Sequence, residues 1–434
     1  MNKNILHLGW PFLCLAVLLG GCKKDFGNLN NATVEDFTSN ATAGELNNLV
    51  SGTESGMRTN LALYLDDVGT IGRELYHFST SEPRYVTDLL GANAATLSNS
   101  NFYITNPWAS RYQVIKNCNI LIQAATNSKS ITAAQRSGYM GFARTIKAYQ
   151  LLLLLNLVDS NGVRIDVADP DHPGPLVPPS GALAAISSLL DSAKSDLGSA
   201  AVAFKLAGFG NFSDAAGLLK VNRALAARVD VYRQNWVSAL TDLNQSFFGL
   251  QTSFATGVYH VFGTGTGDQL NTFFIPQNQT GELRVAHPSF ASDISAGDDR
   301  ISKATLRQSV ASLNGLSSNR DIWVYTSGTA AVPIIRNEEL ILIYAEANIQ
   351  LTNLPDAVVA LNAIRVAHNL GPYAGAVSKP ALLTEMLNQR RFSLYCEGHR
   401  WVDLRRYGLL SQLPVDRSGD DVWTRFPIPV SEQP

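Results

Sequence analysis

Arg390-Arg391-Phe392-Ser393-Leu394-Tyr395-Cys396-Glu397-Gly398-His399-Arg400-Trp401-Val402-Asp403-Leu404-Arg405-Arg406-Tyr407-Gly408 is the stretch on which the fold turns. It crowds charges of both signs around one tryptophan, at the end of a helix in which Leu383, Leu387, Arg390, Leu394 and Glu397 recur before Gly398 closes it. Glu397, Arg400, Asp403 and Arg405 could be a catalytic carboxylate pair with anion-binding arginines. Charges packed on a tryptophan at a helix end more often form a hydrogen-bonded ion network holding two elements together, and that structural role is favoured.

Upstream, the same helical spacing repeats in pairs. Pro333 precedes a helix with Leu340, Ile343, Tyr344 and Ala347 on its apolar stripe. A turn at Asn353 and Pro355 opens the next, with Val358, Leu361, Ile364 and Arg365, and Ser378 and Pro380 open the third. Further back, Trp108, Tyr112, Ile115, Asn119 and Ile122 mark one amphipathic helix. Thr132 is the expected N-cap of a long apolar one that ends near Leu157. Pro170, Pro173, Pro175, Pro178 and Pro179 then force an extended loop, after which helices are expected over Ala182 to Leu197, Leu218 to Tyr232 and from Trp236 through Leu243. Small residues alternate with large ones along these pairs, as in tetratricopeptide units, so degenerate helical repeats are expected over about 108–246 and 333–408. The first helix of the body carries Leu46, Val50 and Met57.

Two regions break the pattern. Arg73 to Phe78 and Glu82 to Tyr85 mix rings and charges without a period that would hide the rings. Residues 250–332 are rich in Gly, Ser, Thr and Asn and read as an irregular insertion, with β-prone pieces at Val258 to Phe262, Phe273 to Pro276 and Trp323 to Tyr325. Within it, Gly263 to Gly267 lacks the Lys-Ser/Thr of a phosphate loop and reads as a hairpin tip. Asp293, Asp298 and Asp299 lack the ligand spacing of a calcium loop and read as a solvated turn.

The chain begins with Lys3, an apolar run from Ile5 to Leu19 broken by His7, Gly9 and Pro11, and then Leu19-Gly20-Gly21-Cys22. This is a secretory leader ending in a lipobox: small residues let a peptidase close on the backbone, and the Cys22 thiol accepts the diacylglyceryl group. The expected organisation is a signal peptide over 1–21, a lipidated tether over 22–43 and a single domain over 44–434. No later stretch is apolar for long enough to cross a bilayer. With 34 basic against 36 acidic residues, the charge is nearly balanced and forms no basic stripe, so nucleic acid is not an expected partner. Of the four cysteines, Cys14 leaves with the leader and Cys22 is acylated. Cys118 and Cys396 lie in helical patterns and are expected to be free, buried thiols. No histidine pair has metal-binding helical spacing, and there is no Gly-x-Ser-x-Gly elbow, so no catalytic metal pair or nucleophile elbow is expected.

Glu339-Leu-Ile-Leu-Ile-Tyr-Ala-Glu-Ala347, Leu361-Asn-x-Ile-Arg365, the stretch from Arg390 to Gly408 and Pro427-Ile-Pro429 together resemble, in order and spacing, the C-terminal half of the SusD/RagB family. Phe392-Ser393-Leu394 and Cys396 depart from its usual pattern. Trp108 to Asn119, Arg144 to Leu155 and Leu219 to Tyr232 also resemble family helices, and the lipobox fits. The resemblance implies a mainly α, SusD-like fold, with tetratricopeptide-like pairs as scaffold and a loop-rich ligand-binding part. It further implies a lipid-anchored, surface-exposed outer-membrane protein that binds a nutrient, usually an oligosaccharide, for a SusC-like TonB-dependent transporter. No cofactor or reaction is implied.

A sugar offers C–H faces and a rim of hydroxyls, so its site needs exposed rings flanked by hydrogen-bonding side chains. Composition points to Tyr76, Phe78, Arg84 and Tyr85, and to Trp323 and Tyr325. The family carries its ligand residues in variable loops without a motif, so none is transferred by position. A peptide ligand is the alternative. A lipid-anchored glycan hydrolase, with Glu74 and Asp88 as its carboxylates, and a purely structural scaffold binding another protein are the two further readings.

Overall fold

A computed structural model describes residues 38–169 and 171–432. The leader, Cys22, the tether as far as residue 37, and Pro170 lie outside the described residues. In chain order the elements are α1 (Ala43–Gly56), α2 (Leu61–Ile71), β1 (Leu75–Phe78), α3 (Phe102–Asn127), α4 (Ala133–Val158), β2 (Val163–Arg164), β3 (Leu176–Val177), α5 (Pro179–Leu197), α6 (Ala215–Tyr232) and α7 (Trp236–Asn244). They continue with β4 (Gly257–His260), β5 (Leu283–Ala286), α8 (Pro288–Asp293), β6 (Ala304–Leu313), β7 (Leu316–Ile322), β8 (Val332–Arg336), α9 (Asn337–Gln350), α10 (Leu354–Ala367), α11 (Lys379–Ser393) and α12 (Arg400–Arg406).

Helices pack on their neighbours in sequence, α3 on α4, α4 on α5, α5 on α6, α6 on α7, and α9 on α10, which is the tetratricopeptide-like stacking of helix pairs. The helix starts follow local chemistry. Thr132 caps α4 in a reciprocal box with Gln135, and Thr42 does the same for α1 with Glu45, whose carboxylate reaches back 2.7 Å to the Thr42 amide. Leu151, Leu152, Leu154 and Leu157 of α4 are buried, each contributing about 2 kcal/mol of burial. Helix α9 is apolar on two sides: Leu340, Ile343 and Ala347 join the main core, while Ile341, Leu342, Ala345 and Ile349 meet Ala357, Leu361 and Ile364 of α10 and Leu382 and Met386 of α11. A helix clamped between two layers needs that all-round pattern.

Four expectations are corrected. The stretch between Met57 and Trp108, read as irregular, contains α2 and β1, both buried; Asp66, Asp67 and His77 lie inside the protein, so no polar face betrays the period. Within 250–332, Phe273 to Pro276 and Trp323 to Tyr325 are not strands. The main sheet runs β1-β5-β7-β6, all antiparallel, and β4 pairs instead with β8. The helix ending in Ser393 does not reach Glu397, because Cys396 and Gly398 take positive φ, 57° and 86°, and turn the chain into α12. Pro333, expected to precede the helix directly, sits in β8 opposite Tyr259, beside a bulge in β4 where a missing N–H is tolerated.

Pairing of Tyr76 with Val285 and of His77 with Arg284 sorts the sheet's faces. Tyr76, Phe78, Leu283 and Val285 pack on one side with Val86, Leu90, Ala311 and Leu316, and His77 points to the other.

Candidate functional site

The quoted C-terminal charges are answered within the chain. Asp403 accepts from Arg390 at 2.7 Å and from Arg406 at 2.8 Å, and Glu397 from Arg336 at 2.8 Å. Arg400 donates to the Gly72 carbonyl at 3.0 Å. Arg405 donates to the Asn156 carbonyl at 2.8 Å and lies 4.6 Å over the Trp401 ring. Nearby, Arg228 grips Glu339 through two bonds of 2.6 and 2.5 Å. Burial pushes the Asp403 carboxyl up, but Arg390 and Arg406 outweigh it and hold the group down to about 2. The arrangement joins α6, α9, α11 and α12.

Of the ring candidates, three are interior. Tyr76 and Phe78 stack on each other at 5.6 Å beneath the hairpin, and Tyr325 donates its hydroxyl to the Cys396 carbonyl at 3.3 Å. Each of the three is 4 % exposed or less, which withdraws them from a ligand surface. Arg84, Tyr85 and Trp323 remain half-exposed.

Each surviving ring is braced by a neighbour that composition alone did not single out. Phe102 stands edge-on to Tyr85 at 5.2 Å with Arg84 4.9 Å over its own ring, and Phe274 lies 5.9 Å from Trp323. Adjacent Phe273 turns inward while Phe274 stays half-exposed, so Phe273-Phe274 in a polar loop was the readable signal. Around the first pair, Arg84 bonds Glu82 at 2.6 and 2.5 Å and Asn101 at 2.8 Å. These are fixed donors and acceptors at the edge of the rings.

The two ring pairs are tied together by buried charge. Arg284 binds Asp66 with two bonds of 2.6 Å and also donates to the Thr272 carbonyl at 2.8 Å and the Phe273 carbonyl at 3.1 Å. Asp66 receives Nδ1 of His77 at 3.1 Å, and the His77 ring stacks on Tyr85 with centroids 3.9 Å apart and planes 20° apart.

The other motifs resolve as follows. Asp293 pairs with Arg391, Asp298 with Arg300 and Asp299 with His368. In the glycine-rich loop region, Asp268 pairs with Arg58. Glu74 is buried and accepts from the Cys396 amide at 3.1 Å, so it cannot meet a glycan, while Asp88 accepts from Tyr103 at 3.0 Å and Asn101 at 3.2 Å. Cys118 and Cys396 are free and buried. Among the described residues no helix is long and apolar enough to cross a membrane. A cavity of about 830 Å³ lies away from the rings, lined by Tyr112, Asn119, Ile120, Arg164 and Val167. It offers one half-exposed tyrosine and none of the candidate rings.

Residues 280–423 match the model of the SusD family. No curated protein matches the chain by sequence. The fold is similar to that of a SusD superfamily protein from Bacteroides vulgatus ATCC 8482, at 16 % identity and TM-score 0.69 over 90 % of this chain and 96 % of that one. It is similar to surface glycan-binding protein A from Bacteroides thetaiotaomicron in complex with laminarihexaose, at 13 % identity and TM-score 0.70 over 90 % and 97 %. B. fragilis NanU matches at 14 % identity and TM-score 0.67 over 93 % and 96 %. At these identities the likeness is one of fold, mainly helical and SusD-like.

Proposed function

Taking the chain as a member of the SusD/RagB family, on the match at residues 280–423 and the shared fold, we propose that it binds an oligosaccharide on the rings of Tyr85, Phe102, Phe274 and Trp323. The observation that carries this is that these rings are braced yet half-exposed, with Arg84, Glu82 and Asn101 beside them to meet hydroxyls. A rigid ring gives a sugar face apolar contact at little entropic cost, and fixed polar neighbours supply orientation. In this reading the lipid on Cys22 anchors the protein at the outer-membrane surface, where a SusC-like TonB-dependent transporter receives the ligand. The chemistry is capture, not turnover. One similar protein is a surface glycan-binding protein in complex with laminarihexaose, which supports a glycan rather than a peptide.

The test is calorimetry of the chain begun after Cys22 against laminarihexaose, a panel of soluble polysaccharides and a set of peptides. One glycan should bind, and Tyr85→Ala or Trp323→Ala should each weaken it about tenfold, roughly 1.4 kcal/mol. Binding of peptides alone, or a glycan affinity indifferent to both substitutions, would overturn the reading. Co-purification after gentle solubilisation tests the transporter.

A further inference from the structure

We propose that His77 serves as a doubly protonated support for Tyr85, so that the ring is held in its ligand-facing position only while both imidazole nitrogens donate. The inference concerns regulation of the surface described above and takes its functional meaning from the glycan-binding reading. The geometry on which it stands is independent of that reading.

His77 is held from both ends by carboxylates. Nδ1 lies 3.1 Å from Asp66 Oδ2 and Nε2 lies 2.9 Å from Glu282 Oε1. Asp66 already takes two bonds from Arg284, and although burial pushes its carboxyl up, Arg284 and His77 hold it down to about 2. The hydrogen bond from His77 likewise holds Glu282 below its usual range. Both partners are therefore ionised at neutral pH, and an ionised carboxylate only accepts. A neutral imidazole has one N–H and one lone pair, so it would satisfy one partner and turn its lone pair on the other. Only the imidazolium fits the site as built.

The same ring is the floor on which Tyr85 lies, at 3.9 Å. A cation under an aromatic face adds attraction to the stack. With Phe102 edge-on at 5.2 Å, Tyr85 is fixed between two rings. Loss of one proton removes one of the two bonds that set the imidazole plane; Glu282, whose side chain is 58 % exposed, is the partner free to leave for water.

The other ionisable groups around the stack are accounted for. Arg284 is the cation on Asp66 and opposes the charge on His77. Asp67, buried without a hydrogen-bond partner among the described residues, is pushed well up by burial and then by Asp66, and burial also raises Tyr85. For His77 itself burial alone would lower the pKa. Asp66, first by its charge and then by its hydrogen bond, and Glu282 outweigh burial and leave the group above its ordinary value. The support is thus present below the ordinary histidine value and is lost as pH rises through the raised one.

The experiment uses the chain begun after Cys22, labelled with ¹³C-histidine and 3-fluorotyrosine, and follows His77 and Tyr85 by NMR between about pH 5 and 9. The two signals should titrate with one midpoint, above that of an ordinary histidine. Glu282→Gln should lower both midpoints together, and His77→Phe, which keeps a ring in the stack, should leave the Tyr85 signal flat. If His77→Phe fails to fold, Glu282→Gln at an exposed side chain carries the test. A Tyr85 signal that ignores the His77 titration, or a His77 already neutral at pH 6, overturns the proposal. No glycan is needed, so a failure to find a binder counts against the binding reading alone. A glycan that does bind should weaken about threefold or more across the same interval, and pH-independent affinity there would overturn the support.

Discussion

Asp66 and Glu74 are both buried, yet their surroundings drive them in opposite directions. Asp66 has Arg284 and His77 on it, whereas burial pushes Glu74 up to about 7, offset only in part by the Cys396 amide and by Arg400 and Arg391. A carboxyl whose folded pKa is raised contributes stability that is fully present below the unfolded value, near about 4, and is lost as pH rises through about 7. At about 1.4 kcal/mol for each tenfold change in proton affinity, the loss is on the order of 3 kcal/mol. Glu74→Gln keeps the shape and removes the charge, so it should cost under about 1 kcal/mol at pH 5 and be more stable than the parent by about 2 kcal/mol at pH 8.5 in urea unfolding. Equal destabilisation at both pH values would sink this account. Asp66 works in the opposite window: its stability is present above about pH 4 and is lost as pH falls toward about 2.

Among the elements, α10 was legible because one side of it faces water, which leaves Leu361 and Ile364 as a stripe, and α4, buried all round from Ala148 to Val158, was legible from its cap at Thr132 and its length. The shorter α2 and β1, covered on both sides, show neither a period nor a side-chain cap, which hid them. The β6–β7 hairpin was written plainly in Asn314-Gly315, whose φ values of 50° and 79° make the tight turn that such a pair favours, yet the polar composition around it masked the signal. Composition singled out the stretches that hold Tyr85 and Trp323 of the candidate site, but not their neighbours Phe102 and Phe274, nor which ring faces water. Register decides that, and the partner of Tyr76 is Val285, far along the chain. Two glycines in turns give a measurable contrast. At Gly315 an added Cβ meets nothing closer than 3.5 Å, so Gly315→Ala should cost only the backbone strain of a positive φ, about 1 kcal/mol. At Gly162, with φ 77°, the Cβ would lie 2.4 Å from the Val177 carbonyl oxygen where β2 meets β3, so Gly162→Ala should cost at least about 3 kcal/mol. Thermal melts that rank the two equally would count against the assigned turn geometries.

For the molecule as a whole, a chain of 434 residues is long enough to divide into independently folding parts, and the composition of residues 250–332 suggests a detachable insertion. The bonds argue otherwise. Strand β5 from that region pairs with β1, and β4 pairs with β8 at the entry to α9. Arg300 reaches Gln389 at 2.7 Å and Ser393 at 2.9 Å, and Lys303 donates to the carbonyls of Phe392 and Ser393 at 2.9 and 2.6 Å. The C-terminal segment in turn ties back to the helical scaffold, with the Phe426 amide on the Leu157 carbonyl at 2.9 Å and Arg417 on the Val86 carbonyl at 2.6 Å. Cutting out 250–332 would strand the edge strand β1 without its partner β5 and leave buried polar groups unpaired on both pieces, each worth about 1–3 kcal/mol. The described body should therefore unfold in urea as one unit, with far-ultraviolet circular dichroism and tryptophan fluorescence tracing a single transition. Lys303→Met should lower the midpoint without splitting it, because it weakens a seam while every strand keeps its partner. An isolated fragment of residues 250–336 should not fold cooperatively, since it holds β4 to β8 but lacks β1 and the α11 groups on which Arg300 and Lys303 close. Two resolved transitions, or a folded fragment, would mean that the seam formed by Arg300 and Lys303 joins two stable bodies and does not complete one.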